Sequence, residues 1–156
     1  MTTKREKSMK EQDRVIVEQA LKILRDELGT VGVELTDPAA AGQYCQLRLG
    51  DREHEVFLVV FLDTRHRVRG AEELFRGTID GACVYPREVA KAALMNNAAA
   101  VIVAHNHPSG VTEPSMADQA ITRRLKDALT LLEIRLLDHF VVSGQGFTSM
   151  ASRGMI

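Results

Sequence analysis

The 156-residue chain has no tryptophan, four prolines and two cysteines, and only 4% of it is aromatic. Cys45 and Cys83 sit in dissimilar contexts without a C-x-x-C spacing, which argues against a disulfide framework and for reduced, packed thiols. No apolar run approaches the ~20 residues of a membrane span. The polar, basic start, Met1 to Lys10, lacks the apolar segment of a signal peptide, so a cytoplasmic location is expected. Nor does charge of one sign dominate. Twenty Lys and Arg against 21 Asp and Glu leave a formal net charge of −1, without the basic excess that grips nucleic acid non-specifically. No repeat or low-complexity segment is present. A hydrophobic share of 45% and a charged share of 26% describe one soluble domain, long enough to bury most of its apolar surface without staples.

Residues 1–12 carry Lys4, Arg5, Lys7 and Lys10 with almost nothing to bury, and a disordered basic tail is expected. From Asp13 the periodicity is helical: Val17, Ala20, Leu21, Leu24 and Leu28 form one stripe, and Gly29 stands where a helix-ending glycine belongs. Asp37-Pro38 caps and starts a short helix to about Tyr44. Glu55 to Asp63 is a continuous apolar run with β-branched and aromatic residues, the pattern of a strand buried on both faces. A turn at Asp63–His66 precedes a more polar strand, Val68 to Ile79, closed by Asp80-Gly81. Pro86 opens the next helix, with Val89, Ala93 and Leu94 toward the core and Asn96-Asn97 as its left-handed end. Ala98 to His105 is a second buried strand. A helix then runs from Ser115 to about Leu132, with Ile121, Leu125, Ala128, Leu129 and Leu132 as its stripe. Arg135–Ser143, a turn at Gly144-Gln145-Gly146 and a short edge strand, Phe147–Met150, complete the chain. Alternating strands and helices predict an α/β sandwich with a mixed sheet.

The most informative stretch is Ala104-His105-Asn106-His107-Pro108-Ser109-Gly110, followed by Pro114-Ser115-Met116-Ala117-Asp118. Side chains i and i+2 share a strand face, so His105 and His107 can reach one ion while Asn106 points the other way. Pro108 cannot extend a ladder, so the chain must turn toward the helix carrying Asp118. Three protein ligands leave tetrahedral zinc one open position, the pattern of a catalytic site. Ser115-x-x-Asp118 is equally a helix-capping pattern, and the two roles are compatible. His54 and His66 lie in polar contexts and are expected at the surface.

His105-x-His107-Pro108 with Ser115-x-x-Asp118 matches the JAMM metalloprotease signature. Phe75-Arg76-Gly77-Thr78, Val84-Tyr85-Pro86-Arg87-Glu88, His107-Pro108-Ser109-Gly110 and Leu137-Asp138-His139 resemble the RadC-like branch of that superfamily, over residues 13–156. The resemblance implies a three-layer α/β sandwich of the JAB/MPN, cytidine-deaminase-like kind. It also implies a short form without the helix-hairpin-helix-like domain that full-length relatives carry, similar to stand-alone proteins of mobile elements. A zinc ion on His105, His107 and Asp118 is implied as well. Glu55 resembles the family's general base, with Glu53, of the same strand parity, as the alternative. Ser115 would donate a hydrogen bond to the oxyanion. Asp138-His139 reads either as a carboxylate supporting a ligand histidine or as a buried structural pair.

The implied activity is metal-assisted hydrolysis of a peptide or isopeptide-like amide in a protein or peptide-like substrate. The alternative, from the family's historical DNA-repair label, is an accessory protein that binds DNA or a DNA-processing partner.

Overall fold

A computed structural model describes residues 10–27, 34–77 and 84–156, with the side chains of 24–27 left aside. The residues expected to form the tail up to Met9, together with Leu28, Gly29, Thr78, Ile79, Asp80-Gly81 and Cys83, lie outside the described residues, as does the side chain of Leu24. Among the described residues four helices and five strands follow in the order α1 (Glu11–Glu27), α2 (Pro38–Leu49), β1 (Val56–Leu62), β2 (Val68–Arg76), α3 (Pro86–Met95), β3 (Ala100–Asn106), α4 (Met116–Thr130), β4 (Arg135–Ser143) and β5 (Gly146–Ser149).

The sheet order is β2-β1-β3-β4-β5. Only β3 and β4 are parallel, and α4 lies between them in sequence, as a parallel pair requires a crossover. All seven residues of β1 and all seven of β3 are buried, as expected for the two apolar runs. Their alternation feeds two cores. Val56, Leu58, Val60 and Leu62 join Ala100, Ile102 and Ala104 under α2. Phe57, Val59 and Phe61 join Val101, Val103 and the apolar faces of α3 and α4 on the other side. The three-layer sandwich therefore follows from period-2 burial on both faces of the central strands.

Several boundaries differ from expectation for local reasons. The first helix begins at Glu11, two residues early. Helix α2 continues past Tyr44 to Leu49, because Tyr44, Cys45 and Leu49 all face the core. Gly42 does not stop it. A Cβ there would collide with the Phe147 ring, so the glycine lets β5 approach the helix. Leu94 and Leu132, expected in the core, are 57% and 41% exposed. Leu94 falls about 100° around the helix from buried Ala93. Leu132 lies beyond the last helical residue, where Glu133 turns the chain left-handed (φ 58°) and Ile134 takes the buried place. Asn97 has φ 52°, as its left-handed ending required.

Candidate metal centre

The site forms where β3 runs out. His105 is the penultimate residue of that strand, facing α4 with Val101 and Val103. His107 follows with its N–H donating to the Val142 carbonyl of β4 at 2.9 Å, which keeps it in strand direction before Pro108 turns the chain. Gly110, at φ 89°, completes that turn. Helix α4 then presents its first turn to the two imidazoles. Ser115 Oγ accepts from Asp118 N at 3.0 Å, and Asp118 Oδ2 accepts from Ser115 N at 2.8 Å. The capping box and the ligand position therefore coexist: the capping oxygen, Oδ2, also faces His107, and Oδ1 faces His105.

His105 Nε2 lies 3.1 Å from Asp118 Oδ1, His107 Nε2 lies 3.2 Å from Asp118 Oδ2, and the two Nε2 atoms are 3.0 Å apart. Zinc–nitrogen bonds of ~2.0–2.1 Å in a tetrahedron would place neighbouring ligand atoms about 3.3–3.4 Å apart. Each observed contact comes within about 0.4 Å of that, the two histidines meeting different oxygens of the carboxylate, and one ligand atom from each residue lies within 4.8 Å of the others. These three residues are the one potential metal-holding group among the described residues. The donor set fits as well as the spacing. His107 Nδ1 is 2.8 Å from the Val111 carbonyl, which can only accept, so Nδ1 carries a proton and Nε2 is the nitrogen left to meet a cation. Two imidazole nitrogens and a carboxylate crowded together demand a cation, whether a metal or a proton.

Electrostatics agree. The hydrogen bond with Asp118 raises the His107 pKa above its ordinary value, against the opposing effect of burial, and Glu55 adds to the rise. Burial pushes Asp118 upward, yet hydrogen bonds from both histidines outweigh it and hold the carboxyl well below the usual range. Access is one-sided. The His105 and Asp118 side chains are 0% and 1% exposed, whereas His107 is 16% exposed, so solvent meets the cluster at His107.

Glu55 is half-buried immediately before β1. The antiparallel register pairs Phe57 with His105, so continuing it brings Glu55 opposite His107. Glu53 is exposed on the preceding turn. Asn106 points away from the imidazoles. Its Oδ1 accepts from Val56 N at 2.7 Å and its Nδ2 donates to the His54 carbonyl at 3.0 Å, fixing the segment that bears Glu55. His54 is exposed, while His66 is half-buried and 3.0 Å from an Arg135 nitrogen.

The Asp138-His139 pair splits across the sheet. A register shift between β3 and β4 pairs Ile102 with Asp138 and sends that carboxylate to the α2 side. There it accepts from Ser149 Oγ (2.5 Å), Ala151 N (3.0 Å) and His139 N (2.7 Å), so it supports no ligand histidine. His139 does that instead: its Nε2 is 2.6 Å from His105 Nδ1. On its other side Nδ1 is 2.5 Å from Thr122 Oγ1. Burial holds the His139 pKa well below the ordinary histidine value. Thr122 went unnoticed in the sequence, although it interrupts an apolar stripe four residues after Asp118, on the same helix face.

The profile of the RadC-like JAB domain matches residues 35–155 of the chain. The chain belongs to the RadC-like JAB family. Relatives include the UPF0758 protein of Halorhodospira halophila, 56% identical over 143 residues that cover 90% of this chain and 64% of that one. The UPF0758 protein of Xanthomonas oryzae pv. oryzae is 58% identical over 125 residues, covering 80% and 56%. That of Methylibium petroleiphilum is 53% identical over 141 residues, covering 90% and 63%. The chain thus spans less than two thirds of the length of these relatives. The RadC-like resemblance and the α/β fold expected with it are both borne out. Among the described residues no helix is long and apolar enough to cross a membrane.

Proposed function

We propose that this RadC-like JAB domain is a zinc-dependent hydrolase that cleaves a peptide or isopeptide-like amide bond. The observation that carries the reading is the convergence of His105 Nε2, His107 Nε2 and the Asp118 carboxylate to within 3.0–3.2 Å of one another. Zinc bound there would lower the pKa of a coordinated water toward neutrality and polarise a carbonyl oxygen. His105, His107 and Asp118 would hold the ion and leave the His107 side open to substrate. Glu55, opposite His107, accepts the proton of the attacking water and returns it to the leaving amine. Ser115 Oγ spends a lone pair on Asp118 N, which leaves its hydroxyl proton for the developing oxyanion. An oxyanion donor of that kind contributes ~3–4 kcal/mol elsewhere.

Metal analysis of the purified protein tests the reading, with casein cleavage as the activity probe. About one zinc per chain is expected in the parent and in Glu55→Gln, and none in His107→Ala. Casein cleavage should disappear in both variants. A parent protein that takes up no zinc from a micromolar solution would end the proposal. The DNA-associated alternative makes a separate forecast, a mobility shift on duplex DNA that weakens steeply with salt. The formal net charge of −1 supplies little for such binding.

A further inference from the structure

We infer that His139 and Thr122 are positioning residues. They form a one-way hydrogen-bond relay that fixes the His105 tautomer and connects His105 to the main chain of Asp118. The inference rests on the metal-site reading above and adds the device that keeps the site ready for an ion.

The relay has three contacts. Thr122 Oγ1 is 2.6 Å from the Asp118 carbonyl, 2.5 Å from His139 Nδ1, and His139 Nε2 is 2.6 Å from His105 Nδ1. Its direction is set at the carbonyl end, because a carbonyl oxygen only accepts. The single hydroxyl proton of Thr122 therefore goes to the Asp118 carbonyl at 2.6 Å, a far stronger acceptor than the Met150 sulfur at 3.7 Å. Thr122 Oγ1 can then only accept from His139, so His139 carries its proton on Nδ1. His139 Nε2 is left as an acceptor, and His105 must donate to it from Nδ1. The consequence is that Nε2 is the His105 nitrogen left open to a cation, a metal or a proton shared with Asp118, and that atom is the one facing Asp118 and His107.

The opposite direction fails by counting. If His139 donated from Nε2, its bare Nδ1 would claim the Thr122 proton. Thr122 Oγ1 and the Asp118 carbonyl would then face each other at 2.6 Å with no proton between them. His105 would also carry its only proton on Nε2, donated to Asp118 Oδ1 at 3.1 Å, in the space a metal ion needs. Water cannot repair the deficit easily, since His105, His139 and Thr122 are all at most 1% exposed. Phe57 holds both rings in place, stacked on His105 (interplanar 10°) and edge-on to His139 (77°). The other ligand is fixed more simply, by the Val111 carbonyl at His107 Nδ1. The relay also joins two ligands from different elements. A shift of α4 that moves the Asp118 carboxylate pulls His105 through Thr122 and His139.

The test reads proton positions by 15N-imidazole NMR, and zinc affinity by chelator competition. In the parent, His105 should carry its proton on Nδ1 both with and without zinc. Finding Nδ1 without a proton in the metal-free protein at pH 8, or finding zinc on Nδ1, would overturn the relay without any variant. Thr122→Val should weaken zinc binding about 10–100-fold and leave His105 as a tautomer mixture, while Thr122→Ser should stay within about 3-fold of the parent. If Thr122→Val binds zinc as tightly as the parent, the inference is wrong. A Thr122→Val protein that does not fold leaves the parent's spectrum as the arbiter. A parent that binds no zinc refutes the site itself, and its His105 tautomer still decides the relay.

Discussion

The two faces of the sheet carry polar groups of opposite purpose, and the neighbours Asp138 and His139 show it. Both are buried, yet one side of the sheet uses its polar residues to tie chain segments together, and the other gathers groups that hold together around a cation. Asp138 and Asn106, on the α2 side, have hydrogen bonds suited to their charge and shape. His105, His107 and Asp118, on the α4 side, gather ligand-type atoms at a common centre. A buried polar group normally lowers its energy by satisfying its partners. A cluster that does so only when a cation is added is built for the cation.

If the division is real, substitutions on the two sides should fail differently. Asp118→Ala should be the most damaging to the site, abolishing zinc uptake by metal analysis. It also removes half of the capping box, which adds a stability loss of about 1 kcal/mol. Asn106→Ala should behave in the contrary way. It strands the Val56 N–H and the His54 carbonyl, at a cost of about 2–3 kcal/mol in urea denaturation, while zinc stays near one per chain. Loss of zinc from a folded Asn106→Ala protein would erase the distinction. Asp138→Ala should cost about 2 kcal/mol by the same accounting, again with zinc retained.

The ligand triad was readable because strand parity and the H-x-H-P spacing locate two side chains without any tertiary information, and the capping pattern locates the third. The strands β1 and β3 were readable for the same reason, as uninterrupted apolar runs. Asp138 and His139 were not. Which face each one takes depends on a register shift between β3 and β4, and no local pattern in Arg135–Ser143 announces an extra residue. Thr122 had a local signal, a polar side chain in an apolar helical stripe, but its meaning required knowing that His139 lies across from it. Leu94 and Leu132 failed at helix ends, where periodicity no longer constrains direction.

Acid sharpens the comparison further, because the α4 side should dominate the pH response. Burial lowers the folded-state pKa of His139, so below about 6.5 the unfolded chain takes up a proton that the folded chain refuses. Stability from this group is complete above that pH and falls as pH drops, by at most about 1.4 kcal/mol per pH unit. His107 has the reverse sign in the metal-free protein. Its raised pKa gives stability that is complete below 6.5 and disappears as pH rises through the folded value. Metal-free protein should therefore be most stable near pH 6.5, with denaturation midpoints falling on both sides. His139→Phe should flatten the limb between about pH 6.5 and 4, leave the fall below about pH 4 that the depressed Asp118 carboxyl supplies, and spare the alkaline limb. An unchanged acid limb would mean that other groups carry it.

The smallest effect belongs to the α2 side. Cys45 is fully buried there, and burial pushes its thiol up to about 12, with Arg48 opposing and Asp138 assisting. Almost no thiolate exists at pH 8, and thiolate is the reactive form. Disulfide-reagent labelling of the native protein, read by peptide mapping, should leave Cys45 unmodified, while the same reagent in 6 M guanidinium should modify it fully. Native labelling at a rate that rises with reagent concentration would mean that α2 exposes the thiol without unfolding. The side of the sheet assigned to structure would then be the more mobile of the two.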